Sequence, residues 1–373
     1  MEVLIAIIAI ASIIAYVAYW INIVYFLNKN NHPPKNYNID SLTLICVFRN
    51  EATHLNEFLN HVHPFIHEHS LSVILVDDHS QDDSAKIIKA HPIFQSEKLS
   101  MLELPTSLNG KKAGIEMAVE AATTPYVYIT DADCVPNYTA IHNLYSTALH
   151  GNYSLTLGWV NFKQRDKTFI QSYQVAENSA LVALSVFQAH KEEISMGNAA
   201  NMLFNKADFI SSEPYKNNQH VAGGDDIFLI EAFKRSNKPI YYSNHESSAV
   251  STYTLKTIGQ LWEQRIRWAA KTKFQSTNKT RNSQLLLLCF FILLGGCLAY
   301  LTSLGAYALV LSIWTVKTMG EIYFLRKISQ KLQSDTPPTS HLLFMGIFQI
   351  FFIPLVAIAQ VFQPVTWKKR AYA

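Results

Sequence analysis

Long apolar runs lie toward the two ends of the chain, and short alternating segments fill the space between them. Residues 3–27, VLIAIIAIASIIAYVAYWINIVYFL, carry no charge. At about 1.5 Å of rise per residue such a run is long enough to cross a hydrocarbon core, so a transmembrane helix is predicted over 1–28. A cleaved leader is the other reading. Glu2 in place of a basic start, the length of the run and the lack of a small-x-small cleavage site speak against it. A second apolar region, 285–324, has room for two spans with a tight connection near Thr302 to Gly305. A third covers 342–362 with Pro354 near its middle, and reads as a kinked span or a re-entrant hairpin. Lys29 and Lys35 follow the first run and no Lys or Arg precedes it. That bias puts the N-terminus outside and the following domain in the cytosol, at the plasma (inner) membrane. The basic run WKKR at 367–370 stays on the cytosolic side only if the third region is re-entrant or interfacial.

Between the runs, from about Ser41 to Arg281, the pattern changes to strand-like and helix-like segments in alternation. LTLICVF (42–48), SVILVDD (72–78) and YVYIT (126–130) are short runs ending in polar residues, as buried parallel strands do. The stretch NEATHLNEFLNHVHPF between the first two has helical spacing of Leu55, Phe58, Leu59 and Val62. DDSAKIIKAH and KKAGIEMAVEAA read as further helices. This rhythm predicts an α/β fold with a mostly parallel, doubly wound sheet, whose ligands sit at the carboxyl ends of the strands. The predicted division is 1–28 membrane helix, 41–253 soluble domain, 254–283 interfacial helix and linker, 284–364 membrane helices and 365–373 basic tail.

Composition changes this picture little. The net charge of +3 is too small to argue for nucleic acid as a partner. The four cysteines, Cys46, Cys134, Cys289 and Cys297, form no C-x-x-C pair, so reduced thiols and no structural zinc are expected.

The candidate chemistry lies in the acids. In YITDADCVP (128–136) a strand-like run ends on Asp131 and Asp133. Carboxylates are not buried unpaired without a cost of several kcal/mol, so a positive partner is expected, and a hard divalent cation bridging to phosphate is one. Taken alone, a turn with side-chain caps explains the motif equally well. Asp77 and Asp78 stand at another strand end, where a carboxylate can accept from a base N–H or a ribose hydroxyl; capping the next helix is the plainer role. Asp225 and Asp226 follow two glycines and precede an apolar helical run, as a general base or as a helix start. In LWEQRIRWAAK (261–271), Gln264 and Trp268 are one turn apart with Arg267 beside them. Arg holds diphosphate bidentately and Trp stacks on a sugar ring. Alternatively this is an amphipathic helix whose Arg265, Arg267, Lys271 and Lys273 meet lipid headgroups.

Taken in order, VFRNEATHL, VDDHSQDDS, GKKAGIEMA, DAD, GNAANMLF, GGDD and QRIRW resemble the membrane-embedded family-2 glycosyltransferases, relatives of the cellulose, hyaluronan and poly-N-acetylglucosamine synthases. The resemblance covers about Thr43 to Lys273 and implies a GT-A nucleotide-sugar-binding domain. It implies that Cys46 to Glu51, Arg49 and Glu51 among them, line the nucleotide pocket and that Asp77 and Asp78 contact uracil. Lys111 or Lys112 would lie near the nucleotide, and Asp131 and Asp133 would hold Mg²⁺ or Mn²⁺ against the diphosphate. Asp226 would be the general base. Asn198, Asp225, Gln264, Arg265, Arg267 and Trp268 would serve the diphosphate and the acceptor. The implied partners are a UDP-sugar donor, a saccharide or lipid-linked acceptor and membrane lipids. The first motif lacks the proline usual before Arg49, and the acid pair reads GDD rather than Glu-Asp. The C-terminal membrane part is shorter than in the polymer-secreting synthases, which favours transfer of one sugar to a lipid; the intact QRIRW favours a polymerase. An inactive nucleotide-sugar-binding module would be expected to have lost some of these acids, and all are present.

Overall fold

The structure, a computed structural model, describes residues 2–29, 37–39, 41–69, 71–221, 223–271, 278–363, 365–367 and 370–372. Lys35, Lys273, Lys368 and Lys369 of the charge argument lie outside the described residues. The chain forms two compact units, one of Asn30–Asn161, Ile194–Tyr253 and Thr366–Ala373, the other of Met1–Lys29, Phe162–Glu193 and Thr254–Val365. The first is built on a sheet and the second on helices.

In the chain, helix α1 (Glu2–Leu27) is followed by β1 (Leu42–Phe48), α2 (Ala52–His69), β2 (Ser72–Asp77), α3 (Ser84–Ala90), β3 (Leu99–Glu103), α4 (Lys111–Ala121) and β4 (Tyr126–Thr130). Then come β5 (Cys134–Val135), α5 (Tyr138–Gly151), β6 (Leu155–Leu157), β7 (Val160–Lys163), α6 (Phe169–His190), β8 (Met202–Asn205), α7 (Lys206–Ser212) and α8 (Asp225–Arg235). The described chain continues through β9 (Ile240–Tyr242), β10 (Val250–Tyr253), α9 (Ile258–Ala270), α10 (Asn278–Ser303), α11 (Tyr307–Leu332) and α12 (Thr339–Phe362). After α12, Val365–Trp367 pairs with Arg370–Tyr372.

The seven-stranded sheet has the order β3-β2-β1-β4-β8-β6-β9. Strands β3, β2, β1 and β4 are parallel; β8 runs antiparallel to both β4 and β6. All seven residues of β1 are buried, which explains its unbroken apolar run. Leu44, Cys46 and Phe48 pack with Leu55, Phe58, Leu59 and Val62 of α2 and with Ile141 and Leu144 of α5. The spacing that predicted α2 therefore marks its buried face. The helix runs on through Pro64 to His69, beyond the end the pattern marks. Chain order reverses between β1 and β4, which is the switch point where ligands of such sheets bind. Phe48 lies beside Asp77, and Cys46 beside Thr130, so Arg49, Asp77 and Asp131 all leave the sheet at one edge.

In the helical unit α1 packs on α6, α10 and α11, while α12 packs on α6, α9, α10 and α11. Helix α6, predicted as part of the soluble domain, belongs with these helices. Tyr173 and Ala176 of α6 join Leu261, Ile322, Leu342 and Phe352 in one apolar cluster. Among the described residues, four helices are long and apolar enough to cross a membrane: Val3–Leu27, Leu285–Ser303, Tyr307–Leu332 and Thr339–Phe362. The region 285–324 splits after Ser303, where Gly305 at φ 74° makes the turn into α11. The third region is one continuous helix through Pro354, not a re-entrant hairpin.

Close to the midpoints of α1, α11 and α12 lies a buried polar cluster. The Lys317 ammonium is 2.9 Å from the Glu321 carboxylate and donates to the Gly346 carbonyl at 3.1 Å. Tyr16 Oη donates to Glu321 at 2.9 Å, and Gln349 Nε2 lies 2.6 and 2.7 Å from its two oxygens.

Candidate active site

The edge of the sheet at β1 and β2 is tied together by Arg49. This side chain is buried, and its Nη1 donates to the carbonyls of Asp78 at 2.6 Å and His79 at 2.7 Å. Asn50 and His79 adopt left-handed backbone (φ 52° and 56°) where the two loops meet. Asp77 Oδ1 accepts from the Ser80 N–H at 2.8 Å, and Asp78 is fully buried. The Glu51 N–H donates to Ser84 Oγ at 2.9 Å, while its carboxylate lies 2.9 Å from His54 Nδ1. These groups shape the loops at the strand ends.

The two lysines that open α4 take different roles. Lys112 is buried; its Nζ donates to the Asn218 carbonyl and, at 2.9 Å, to that of Val221, and sits 4.7 Å from the Phe228 ring. It fastens α4 to the segment ahead of α8. Lys111 faces the acids instead, with Nζ 2.5 Å from Asp131 Oδ1 and 2.7 Å from Asp225 Oδ2. The positive charge against Asp131 in this structure is therefore a lysine. Burial works against the Lys111 ammonium, but the Asp131 and Asp225 carboxylates outweigh it and hold its pKa well above the ordinary lysine value.

Asp131 is partly accessible and Asp133 is exposed, with Ala132 buried between them. The Cys134 N–H donates to the Asp131 carbonyl at 3.1 Å, and Thr252 Oγ1 donates to that of Asp133 at 2.9 Å. This turn presents two hard oxygen ligands of the kind Mg²⁺ and Mn²⁺ take. Among the described residues no group of three or more His, Cys, Asp or Glu is arranged to hold a metal. A cation here fits only if phosphate oxygens and water complete its shell. Burial first, and the nearby acids next, push the Cys46 and Cys134 thiols well up, so neither is a nucleophile at neutral pH.

Asp225 and Asp226 occupy the first turn of α8, where the helix dipole favours carboxylates. Gly223 and Gly224 deliver them through two left-handed residues, φ 65° and 77°. A Cβ on Gly224 would stand 2.8 Å from the Phe228 ring. Gly224→Ala is expected to cost about 1–2 kcal/mol from the backbone alone, read as a lower thermal unfolding midpoint. Asn198 accepts from the Ala200 N–H at 3.1 Å in a local turn. Asn201 is buried, bonded to Tyr128 Oη and to the carbonyls of Trp159 and Ser248.

Gln264, Arg265, Arg267 and Trp268 lie on α9, in the helical unit. Thr257 and Gln260 start this helix with a capping box. The guanidinium of Arg265 joins Gln264 and Trp268. It bonds Gln264 Oε1 and lies 4.2 Å from the Trp268 ring, while Nε and Nη2 both donate to the Glu177 carboxylate on α6, Nε at 2.7 Å. Tyr173 Oη also donates to Glu177, at 3.1 Å. Sequence reasoning misses Glu177, a single acid in a helix 88 positions from its partner. Glu177→Ala leaves the buried Arg265 without its counter-ion and should cost about 2–3 kcal/mol, toward the low end for a buried pair because Glu177 is partly exposed. A thermal melt of the variant checks this.

A cleft of about 1380 Å³ in the sheet unit is bordered by His79, Leu108, Glu116, Lys216 and His220 and includes none of the four acids.

Residues 43–211 match the profile of Glycosyl transferase family 2. No curated protein matches the chain. Among solved structures, the mannosyltransferase PcManGT from Pyrobaculum calidifontis, in complex with GDP-Man and Mn²⁺, is similar at 18% identity and TM-score 0.54, over 99% of this chain and 100% of that one. Glucosyl-3-phosphoglycerate synthase from Mycobacterium tuberculosis has 13% identity and TM-score 0.41 over 64% of this chain and 84% of its own. TarS of S. aureus has 13% identity and TM-score 0.43 over 89% and 99%. The sheet order, the family match over 43–211 and the similarity to the mannosyltransferase agree on the fold: residues 43–211 match family-2 glycosyltransferases, the α/β fold is GT-A-like, and four of the described helices are capable of spanning a membrane.

Proposed function

We propose that the protein is an inverting, metal-dependent transferase that moves a hexosyl or N-acetylhexosaminyl group from a nucleotide diphosphate sugar to a saccharide or lipid-linked acceptor. The observation that supports this most is the pair of accessible carboxylates, Asp131 and Asp133, following β4 at the switch point of the sheet, with Asp225 linked to Asp131 through Lys111 and Asp226 next to it in the first turn of α8. The GDP-Man and Mn²⁺ bound by the similar mannosyltransferase are consistent with such a donor; the resemblance to the cellulose and hyaluronan synthases supports a UDP-sugar. Asp131 and Asp133 would hold the cation. When bound, Mg²⁺ or Mn²⁺ neutralises charge on the departing diphosphate.

Asp226 takes the proton of the acceptor hydroxyl as its oxygen attacks the anomeric carbon, and the nucleoside diphosphate leaves from the opposite face. Asp225, paired with Lys111, fixes the start of α8 and with it the position of Asp226. Arg49, Glu51 and Asp77 hold the loops that receive the nucleoside. A contact from the buried Asp78 to the base requires these loops to part on binding. Gln264, Arg267 and Trp268 serve the diphosphate and the acceptor, with Arg265 and Glu177 holding the indole in place. The acid-bearing domain works on the cytosolic side of the plasma (inner) membrane, as the Lys29 and Lys35 bias suggests.

Transfer of a single sugar to a lipid is the second reading, favoured by a membrane part of only four candidate spans among the described residues. The test incubates detergent-purified protein with UDP- and GDP-sugars, Mn²⁺ or Mg²⁺ and native lipid extract, and sizes the products. Nucleoside diphosphate release with a ladder of saccharides supports chain synthesis. One short lipid-soluble product supports the single transfer. No release from any donor, with every acceptor supplied, overturns the assignment.

A further inference from the structure

We propose that Lys111 is a built-in counter-ion that stands in the place of the divalent cation, so that the metal enters only together with the nucleotide. The inference rests on the transferase reading above and adds to it an order of loading. Its basis is geometric: one ammonium bridges Asp131 Oδ1 and Asp225 Oδ2, at 2.5 and 2.7 Å, and its side chain is only 15% exposed. Asp131 is one of the two carboxylates that fit a metal. An ammonium this close to an oxygen fills the approach a cation would take at about 2.1 Å. A free metal ion gains two protein carboxylates at most here, for no third ligand is arranged beside them among the described residues. It would have to displace Lys111 from Asp131 while gaining no other anion.

A metal ion carrying a nucleoside diphosphate changes that balance. The phosphate oxygens complete the coordination shell and give the displaced ammonium a new anionic partner. Lys111 is the first residue of α4, so the helix holds its backbone while the end of its side chain changes partners. Lys112 does not compete for this role, since its ammonium is held by the carbonyls of Asn218 and Val221. Lys111 thus couples the metal acids to the start of α8.

The experiment measures Mn²⁺ binding by electron paramagnetic resonance on the full-length protein in detergent, with and without UDP, in wild type, Lys111→Met and Lys111→Arg. In wild type, Mn²⁺ should bind weakly alone and markedly more tightly with UDP. Lys111→Met, with the acids relieved of their counter-ion, should bind Mn²⁺ alone about tenfold more tightly and gain correspondingly less from UDP. Lys111→Arg keeps the charge and should bind Mn²⁺ alone no more tightly than wild type. If Lys111→Met does not fold, Asp225→Asn replaces it. There the ammonium has only Asp131 to pair with, and Mn²⁺ alone should bind several-fold more weakly. Unchanged or weaker Mn²⁺ binding by folded Lys111→Met, with UDP still enhancing it in wild type, overturns the counter-ion role and leaves the transferase reading intact. A wild type that binds no Mn²⁺ even with UDP overturns both.

Discussion

Asp226→Asn is expected to lower sugar transfer by about 10²–10⁴-fold, the range for a positioned acid–base group, while Mn²⁺-dependent UDP binding stays close to wild type. The amide keeps the size of the carboxylate but takes no proton. Asp226 stands in the first turn of α8, placed there by Gly223 and Gly224, and its neighbour Asp225 carries the Lys111 contact. The substitution therefore removes the base without removing the ion pair that orders the turn. Measured by kcat with the donor saturating, a fall of that size with the donor KM unchanged identifies a group that acts in the transition state. A variant with full kcat would move the base elsewhere. Equal loss of UDP binding would mean that Asp226 holds the donor.

The second large effect lies far from this chemistry in sequence. Lys317 is buried to 1% exposure and Glu321 to 9%, within a helix apolar enough to span a membrane. Lys317→Met leaves Glu321 among Tyr16 and Gln349 with no cation, and Glu321→Met leaves the ammonium with the Gly346 carbonyl. Each single change should cost about 3–5 kcal/mol, the size seen when one member of a buried pair is removed. The double change Lys317→Met with Glu321→Met should recover most of the loss, because it removes both charges and leaves apolar side chains of similar length. Thermal unfolding of the four proteins in one detergent measures the coupling directly. Single variants that melt like wild type, or a double variant as unstable as the sum of the singles, would contradict the account.

What the sequence made legible follows from physical periodicity. Strands β1 and β4 have the bounds their apolar runs mark, since parallel strands are covered on both faces and show no polar alternation. The position of Asp77 and Asp131 at one edge followed from the same strand pattern. Four features were not legible. Lys111 and Lys112 are adjacent on a helix and differ only in what folds against them, so the chain alone does not separate acid partner from carbonyl partner. Arg265 meets Glu177 across 88 positions, and helical spacing predicts neighbours within α9 but no partner on α6. Helix α6 itself buries Gln171, Ser172, Gln174, Asn178 and Ser179 alongside its apolar residues, so no composition step marks where it leaves the sheet unit. The continuity of α12 through Pro354 depends on neighbouring helices packed along it, which hydropathy does not report.

The most direct test of the central claim is transfer of radiolabelled sugar from UDP- and GDP-sugar donors by the purified protein in lipid nanodiscs, with Mn²⁺ or with EDTA. The account predicts that label from at least one donor passes into a saccharide or lipid product with inverted anomeric configuration, and that EDTA abolishes the transfer. Equal transfer in EDTA, retention of configuration, or no transfer from any donor would contradict it.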